Sequence, residues 1–208
     1  MLRVMRKLGL AGKGTTRKHR IQRKVGPGGP RLSLVERAFA VGGRNGLWAG
    51  GIAYMPAREG RPYLAAVMDA FSRKAVGRST PGRVTEKAAI DAIGRAVGGE
   101  GPPYDGGLVF HDGQGARHAS RSSRRCPDSH GTAQSASRPG TPLGNAVAES
   151  FSKTPKRELA EERGYGTRDE AKQGIFKYME LYYNRVRMHP PWTTCLQWNT
   201  SGNTLEGP

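Results

Sequence analysis

The stretch that decides the fold contains three apolar segments separated by turns. They are Leu47–Met55 (LWAGGIAYM), Tyr63–Phe71 (YLAAVMDAF) and Lys74–Ser79 (KAVGRS). The first two are joined by residues 56–62 (PAREGRP), and the third follows Ser72-Arg73. Short apolar segments bounded by Pro, Gly and Ser are typical of strands, and short links favour pairing between sequence neighbours. The stretch therefore predicts an antiparallel meander of three strands.

Helices and further strands follow this meander. Thr85 to Val97 predicts a helix capped by Thr85 and ended by Gly98-Gly99. Gly107 to His111 predicts a strand, and Thr141-Pro142 opens a helix that extends to about Leu159. Thr167 to Glu170 forms a capping box before a helix with one apolar face: Ala171, Ile175, Tyr178, Met179 and Tyr182. This order predicts an α/β domain with a mixed sheet, whose later strands cross over through helices.

The composition is strongly basic and poor in large apolar residues. The 208 residues include 34 Lys and Arg against 17 Asp and Glu, a net charge of +17. Such an excess indicates a polyanionic partner, nucleic acid before an anionic membrane surface. Leu, Ile, Val and Phe make up only about 16% of the chain, which excludes a membrane protein and a large hydrophobic core.

Much of this charge lies in an N-terminal arm that has no acidic residue before Glu36. Ten basic residues precede Glu36, among them five close together: Arg17, Lys18, Arg20, Arg23 and Lys24. We expect these five to contact nucleic-acid phosphates. The alternative is a basic arm that is simply solvated.

The cysteines and the hydropathy exclude several classes of protein. Cys126 and Cys195 lie far apart without a partner motif, so neither a disulfide framework nor a zinc site is expected. No apolar run approaches about 18 residues, and no signal peptide follows the basic start. We therefore expect a cytoplasmic protein with no membrane partner.

Four motifs in the same order resemble those of one protein family. The first motif comprises residues 47–54, 58–60 and 63–74. The other three are HDGQGARHAS (111–120), GNAVAESF (144–151) and YYNRVRMH (182–189). Together they resemble the integrase-core transposases of bacterial insertion sequences, the OrfB type, which belong to the DDE and retroviral-integrase superfamily. The resemblance implies a ribonuclease-H-like fold with a mixed five-stranded sheet. It also implies DNA strand cleavage and transfer at insertion-sequence ends.

In that family three carboxylates, Asp, Asp and Glu, hold two divalent metal ions at a DNA phosphodiester, which implies Mg²⁺ or Mn²⁺ as cofactor. Here the third carboxylate is present as Glu149. The positions that match the two Asp residues are Gly51 and Gly113, with 35 residues between Gly113 and Glu149, as is typical of the family. A further family Asp, before Asn145, is Gly144. Glycine supplies no ligand, so the resemblance implies an impaired metal site.

Two other carboxylates are candidate substitutes. Asp112 precedes Gly113, but neighbours in a strand point to opposite faces, so Asp112 should point away unless the turn rotates it. A hairpin that folds back about residues 59–60 would pair Gly51 with residue 68 or 69, which would bring Asp69 towards the site. The alternative for both is an ordinary turn carboxylate. His111 is expected near the site by resemblance, or as a structural histidine.

The resemblance also implies a DNA-facing surface around Glu149. Its candidate residues are Arg138, Asn145, Lys153, Lys156 and Arg157. The alternative is a solvated basic face. The implied partners are insertion-sequence terminal repeats and target DNA, with a second copy of the chain or an intact transposase. The place of action would be the bacterial nucleoid.

The departures from the family pattern favour a degenerate gene product. Besides the lost Asp residues, Pro155 falls inside the predicted Glu149 helix, and the family's tail is missing after His189. The expected division is a basic arm with a helix-turn-helix remnant, the integrase core, and an aberrant tail: 1–35, 40–189 and 190–208. A catalytically impaired transposase is the first hypothesis. A non-catalytic DNA-binding remnant and a basic RNA-binding protein of ribosomal type are the alternatives.

Overall fold

A computed structural model of the chain describes residues 32–36, 38–55, 57–83, 85–102, 107–113, 131–138, 142–160 and 164–187. The predictions for the basic arm, including Arg17, Lys18, Arg20, Arg23 and Lys24, lie outside these residues. So do those for Thr141, the cysteines and the tail 190–208. Within the described part of the chain, no helix is both long and apolar enough to cross a membrane.

Five strands form one mixed sheet, as predicted. They are β1 (Leu47–Tyr54), β2 (Tyr63–Asp69), β3 (Ala75–Ser79), β4 (Val109–Asp112) and β5 (Ala133–Ala136). Their order across the sheet is β3-β2-β1-β4-β5. The meander β1-β2-β3 is antiparallel, whereas β4 runs parallel to β1 and β5 runs parallel to β4. The predicted fold class is confirmed.

The register of the first hairpin differs from the prediction. Gly51 lies opposite Ala66, and Asp69 lies opposite Trp48, so the expectation that Gly51 pairs with residue 68 or 69 was wrong. The chain reverses between Arg58 and Glu59 because the backbone N–H groups of both residues donate to a distant loop. Their acceptors are the carbonyl oxygens of Tyr165 and Gly166, at 2.9 and 3.1 Å.

Asp69 is instead a buried structural carboxylate at the open end of the hairpin, where it is the last residue of β2. Its oxygens accept hydrogen bonds from the N–H of Asn45 (3.1 Å) and from the N–H and Oγ of Ser72 (2.7 and 2.6 Å). Asn45 in turn accepts from the indole of Trp48, which is 1% exposed. Trp48 is thus a core residue, and Asp69 holds two turns together.

One helix covers the first face of the sheet. Helix α1 (Glu86–Glu100) packs its alanine-rich face against β2 and β3. It starts after Thr85 as predicted, but the Thr85 side chain makes no capping hydrogen bond. The prediction that Gly98-Gly99 ends it was also wrong. The helix continues to Glu100 and ends at Gly101, whose φ of 53° is a left-handed conformation that glycine adopts at little cost.

Two helices cover the other face. Helix α2 (Ala146–Pro155) and helix α3 (Arg168–Lys177) pack on β1 and β2 through Phe151, Ile175 and other apolar residues. The single helix predicted from Thr141-Pro142 to Leu159 is divided into three parts. A 3-10 turn (Pro142–Asn145) precedes α2, and a π-helical segment (Lys156–Ala160) follows it. The change after Pro155 fits a residue that has no N–H for an α-helical hydrogen bond.

The predicted capping box of α3 is present, because the Thr167 hydroxyl accepts from the N–H of Glu170 at 3.1 Å.

The predicted apolar face of the helix that begins with α3 needs one correction. The last turns are π-helical (Tyr178–Tyr183), so hydrogen bonds join residues five apart, and Tyr183 rather than Tyr182 follows Tyr178 into the core. Tyr183 is buried, whereas Tyr182 is 42% exposed.

Both outer strands are covered by distant segments of the chain. At β5, Ala136 N–H donates to the carbonyl of Leu32 (3.0 Å), and Leu34 N–H donates to Ser135 Oγ (2.9 Å). At β3, the side-chain amide of Asn184 pairs with the N–H and C=O of Ala75, at 3.0 and 3.2 Å. These contacts satisfy backbone groups that an open sheet edge would expose.

The contact between α1 and β3 requires a glycine. A Cβ at position 77 would lie 2.1 Å from the carbonyl oxygen of Ala92, whereas one at Gly94, on the exposed side of α1, would meet nothing within 4 Å. We expect Gly77→Ala to lower the free energy of unfolding by about 1–3 kcal/mol through overpacking. Gly94→Ala should raise it by about 0.5–1 kcal/mol because alanine favours the helix. Urea unfolding followed by circular dichroism measures both, and equal effects would contradict this packing.

Candidate active site

The candidate site lies where α2 begins, directly against the middle of β1. Glu149, in the first turn of α2, is partly exposed and follows Ala148, which packs on the sheet. A Cβ placed on Gly51 would lie 2.9 Å from the Cβ of Ala148. Glycine at this position therefore lets the helix approach the strand, and the approach places Glu149 beside the carboxyl-terminal half of β1.

Two buried hydrogen bonds fix the start of α2 on the sheet. The amide nitrogen of Asn145 donates to the carbonyl oxygen of Gly50 at 2.8 Å. The Nε2 of His111, in β4, lies 2.7 Å from the carbonyl oxygen of Gly144. Because a carbonyl oxygen can only accept a hydrogen bond, Nε2 must carry a proton and donate it. Together they tie the residues before α2 to β1 and to β4.

His111 is a fully buried structural residue in this arrangement. Its Nδ1 lies 2.8 Å from Ser135 Oγ, which itself accepts from the N–H of Leu34. In the neutral tautomer with its proton on Nε2, the ring donates to the Gly144 carbonyl oxygen and accepts at Nδ1 from the Ser135 hydroxyl. Ser135 Oγ remains able to accept from the N–H of Leu34. His111 thus lies near the site, as the resemblance implied, but its ring nitrogens serve the fold.

The three glycines at the family's acidic positions differ in the space around them. Gly51 is in close contact with Ala148, and a Cβ on Gly144 would lie 2.4 Å from the Cβ of Ser137. A Cβ on Gly113 would meet nothing within 4 Å. The fold is therefore packed around glycine at positions 51 and 144, whereas position 113 has room for a side chain.

The side chain of Asp112 projects from the face of the sheet opposite to α2. A Cβ on Gly50 would lie 3.5 Å from the Cβ of Asp112 and 2.6 Å from the Phe110 ring, on the face that α1 covers. Gly51, the next residue, faces α2. Asp112 is only 2% exposed, so this agrees with the alternation expected along the strand. Asp69, paired with Trp48, is also remote from Gly51.

These positions do not fit a two-metal site. Of the three positions that the resemblance assigns to metal ligands, Glu149 alone carries a carboxylate. The residues described by the structure include no group of three or more His, Cys, Asp or Glu side chains able to hold a metal ion. Hard divalent cations need several oxygen ligands, which glycine cannot supply.

The predicted DNA-facing residues do not share one surface. Lys153 and Arg157 line a groove along the helix that carries Glu149, and Lys153 is one helical turn after that residue. Lys156 lies over the Tyr54 ring, with its nitrogen 5.8 Å from the ring centre. Asn145 is buried at the start of α2, and Arg138 lies 3.5 Å from Glu36 in a largely exposed ion pair.

The groove has further members that sequence analysis missed. Its volume is about 410 Å³, and we name it the Lys153 groove; its lining residues are Ser150, Lys153, Thr154, Arg157, Glu158 and Arg187. Arg187 donates to Glu158 through Nη2 (2.8 Å) and Nε (3.2 Å), and the Tyr178 hydroxyl donates to Glu158 at 2.5 Å. The ion pair joins residues 29 positions apart, so no local pattern could have indicated it.

The bonds to Glu158 shift the ionisation of the groups around it. Burial alone would raise the pKa of Glu158, but the hydrogen bonds from Arg187 and Tyr178 and the nearby positive charges lower it below its usual 4.5. Burial and the Glu158 carboxylate raise the pKa of Tyr178 well above its usual value. The ionised carboxylate is therefore the stable form at neutral pH.

Comparison with known proteins adds independent information. Two family models, both described as an integrase core domain, match residues 43–142 and 130–191. The chain is similar to the transposase for insertion sequence element IS904 of Lactococcus lactis subsp. lactis (strain IL1403). The two are 40% identical over 187 residues, which cover 90% of this chain and 73% of the relative.

A second relative is the transposase InsF for insertion sequence IS3fB of Escherichia coli (strain K12). It is 32% identical over 157 residues, which cover 76% of this chain. The chain spans 54% of the length of that relative. These similarities rule out the alternative of a ribosomal-type RNA-binding protein.

One solved structure supports the fold, and a second matches this chain less well. An intasome of simian T-cell lymphotropic virus in complex with the PP2A regulatory subunit B56 gamma matches 92% of this chain and 66% of its own, with 17% identity and a TM-score of 0.55. The HTLV-2 integrase catalytic core domain, a trimeric form in complex with magnesium, matches 72% of this chain and 95% of its own, with 16% identity and a TM-score of 0.48.

The packing around the glycines predicts different costs for restoring aspartate. Gly113→Asp should leave the free energy of unfolding nearly unchanged, because its Cβ enters open space. Gly51→Asp should lower it by about 1–3 kcal/mol, because α2 must move away from β1. Ala148→Gly should recover part of that loss in a double-mutant cycle measured by urea unfolding. Additive effects would show that residues 51 and 148 are not in contact.

The ion pair of Glu158 predicts a dependence of stability on pH. Because the folded state lowers the pKa of Glu158, the pair stabilises the fold above the ordinary value of 4.5. That contribution should be lost as pH falls through the lower, folded-state pKa. Urea midpoints from pH 7 down to pH 3 should fall less steeply for Glu158→Gln than for the unmodified chain. Parallel curves would contradict a lowered pKa.

Proposed function

The chain belongs to the insertion-sequence transposases with an integrase core domain, and on this basis we propose that it binds DNA at insertion-sequence ends with impaired cleavage and strand transfer. The observation that carries this proposal is the replacement of two family carboxylates by Gly51 and Gly113. The family acts on DNA, but this chain retains one carboxylate, Glu149, of the set that would hold the metal ions.

The arrangement of the remaining carboxylates supports impairment. Asp112 and Asp69 are the candidate substitutes, and both lie on the face of the sheet that α1 covers, away from the helix of Glu149. A ligand on that face cannot share an ion with Glu149 unless the strand rotates. The divalent metal, Mg²⁺ or Mn²⁺, that the family implies therefore has too few ligands here.

The distribution of charge supports retained DNA binding. The net charge is +17, and the arm that precedes Glu36 contributes ten positive charges without an acidic residue. The Lys153 groove adds a second basic region next to Glu149. Such surfaces bind nucleic acid through phosphate contacts and the release of counterions, and that binding is steeply weakened by salt.

The remaining parts of the proposal follow from the same premise. The three segments 1–35, 40–189 and 190–208 would act as DNA-binding arm, core and tail. The DNA partners would be terminal repeats and target DNA, and the protein partner a second copy or an intact transposase. Such a protein would act at the nucleoid in the bacterial cytoplasm.

A pair of assays on the full chain tests the proposal. Fluorescence anisotropy should show binding to DNA that weakens steeply as salt increases. A strand-transfer assay with matched terminal repeats and Mg²⁺ or Mn²⁺ should show no joining. Joining that is abolished by Glu149→Ala would overturn the impairment, and absence of DNA binding at low salt would overturn the DNA-binding function.

Restoring the missing carboxylates should restore metal binding. The triple variant Gly51→Asp, Gly113→Asp and Ala148→Gly supplies both ligands and the space for the first. Millimolar Mg²⁺ or Mn²⁺ should raise its Tm, because a ligand that binds only the folded state stabilises it. The unmodified chain, and the triple variant with Glu149→Ala added, serve as controls and should show no such rise. A triple variant that folds but does not respond to metal would contradict the assignment of residues 51 and 113.

A further inference from the structure

The Lys153 groove contains a residue pair that the proposed function does not explain. Three cations line it, Lys153, Arg157 and Arg187, and a single carboxylate, Glu158, lies among them. The net charge of the lining is thus +2. Lys153 and Arg157 are four residues apart along α2 and its π-helical continuation, whereas Arg187 directly follows the turn after the π-helical segment Tyr178–Tyr183.

The position of the groove relates it to Glu149. Ser150 follows Glu149 directly, and the lining extends from Ser150 to Arg157 along the helix. Seven residues of helix cover about 10 Å. A DNA strand advances about 3.4 Å per nucleotide, so the groove has the length of about three nucleotides. A strand that passes Glu149 could therefore continue along this groove.

Glu158 gives Arg187 a defined orientation. The carboxylate accepts from both Nη2 and Nε of the guanidinium and also from the Tyr178 hydroxyl, so it is held from two sides. The Arg187 guanidinium also lies 5.9 Å from the centre of the Tyr183 ring. The side chains of Arg187 and Glu158 are 24% and 33% exposed, so both are partly screened from solvent. Because Glu158 takes the Nε–Nη2 edge of this guanidinium, a phosphate would bind at its Nη1–Nη2 end, where two N–H groups lie parallel.

We propose that the Lys153 groove binds a backbone phosphate of the DNA strand beside Glu149, with Arg187 as the contacting residue and Glu158 as its positioning residue. This inference rests on the proposed DNA binding. Glu158 lowers the net charge of the groove, yet it increases affinity because it keeps Arg187 in the orientation that the phosphate requires.

The test uses the full chain, a labelled random-sequence DNA duplex and anisotropy measured over a range of KCl concentrations. Arg187→Gln and Lys153→Gln should each weaken binding and reduce the slope of log K against log salt by about 0.9, the value for one phosphate contact. The matched controls are Arg95→Gln and Lys87→Gln, which remove the same charges from helix α1 on the other face of the sheet. They should leave the slope unchanged.

Glu158→Gln separates a positioned contact from a general charge effect. If only net charge matters, removing a negative charge from a basic groove strengthens DNA binding. If Glu158 positions Arg187, the same change weakens it. Tighter binding by Glu158→Gln, or equal slopes for Arg187→Gln and Arg95→Gln, overturns the proposal. If the unmodified chain binds no DNA at low salt, the proposed function itself fails, which is a different result.

If circular dichroism shows that a variant does not fold, a measurement on the unmodified chain still tests the proposal. DNA should protect Lys153 from chemical acetylation several-fold, with Lys87 as the unprotected reference. Inorganic phosphate at matched ionic strength should protect Lys153 much less than DNA does. Equal protection by inorganic phosphate, or no protection by DNA, would show that the groove does not hold a DNA strand.

Discussion

The close contact between strand β1 and helix α2 is the constraint on which the site depends. Gly51 allows Ala148 to pack directly on the strand, and the hydrogen bonds from Asn145 to Gly50 and from His111 to Gly144 hold the first turn in place. Glu149 owes its position to this contact. The same contact leaves little space at position 51 for a side chain, so the geometry that holds Glu149 in place favours glycine at that position of the strand.

Much of the fold could be predicted because its signals are local. Apolar segments and turns indicated the strand meander, and Thr167 with Glu170 marked the start of α3. What was missed depends on distant contacts. The hairpin turns one residue early because Arg58 and Glu59 bond to Tyr165 and Gly166, and Tyr183 replaces Tyr182 in the core because the last turns are π-helical. At the site, Glu149, Gly51 and Gly113 were assigned through the resemblance to the family, and the spacing between Gly113 and Glu149 supported that assignment. The space around each glycine and the pair Glu158–Arg187 required the three-dimensional structure.

The charge of the chain has two structural components with different consequences. The charged residues of the arm before Glu36 are all basic, a composition suited to non-specific attraction of DNA. The groove beside Glu149 combines cations with a carboxylate that is hydrogen-bonded on two sides. Ion pairs of this kind restrict geometry more than they add attraction, so the second region is suited to orienting a strand that the first has already attracted.

The way the sheet edges are covered has a consequence for the order of events during synthesis. The outer side of β3 is completed by Asn184, which lies 109 residues later, and that of β5 pairs with residues 32–34, about 100 residues earlier. A nascent chain that has reached β4 therefore carries strands with unpaired outer edges. The edge of β5 can close as soon as that strand forms, whereas the edge of β3 closes only when residue 184 has emerged from the ribosome. A chain truncated before residue 184 would therefore expose the edge of β3 and be prone to aggregate.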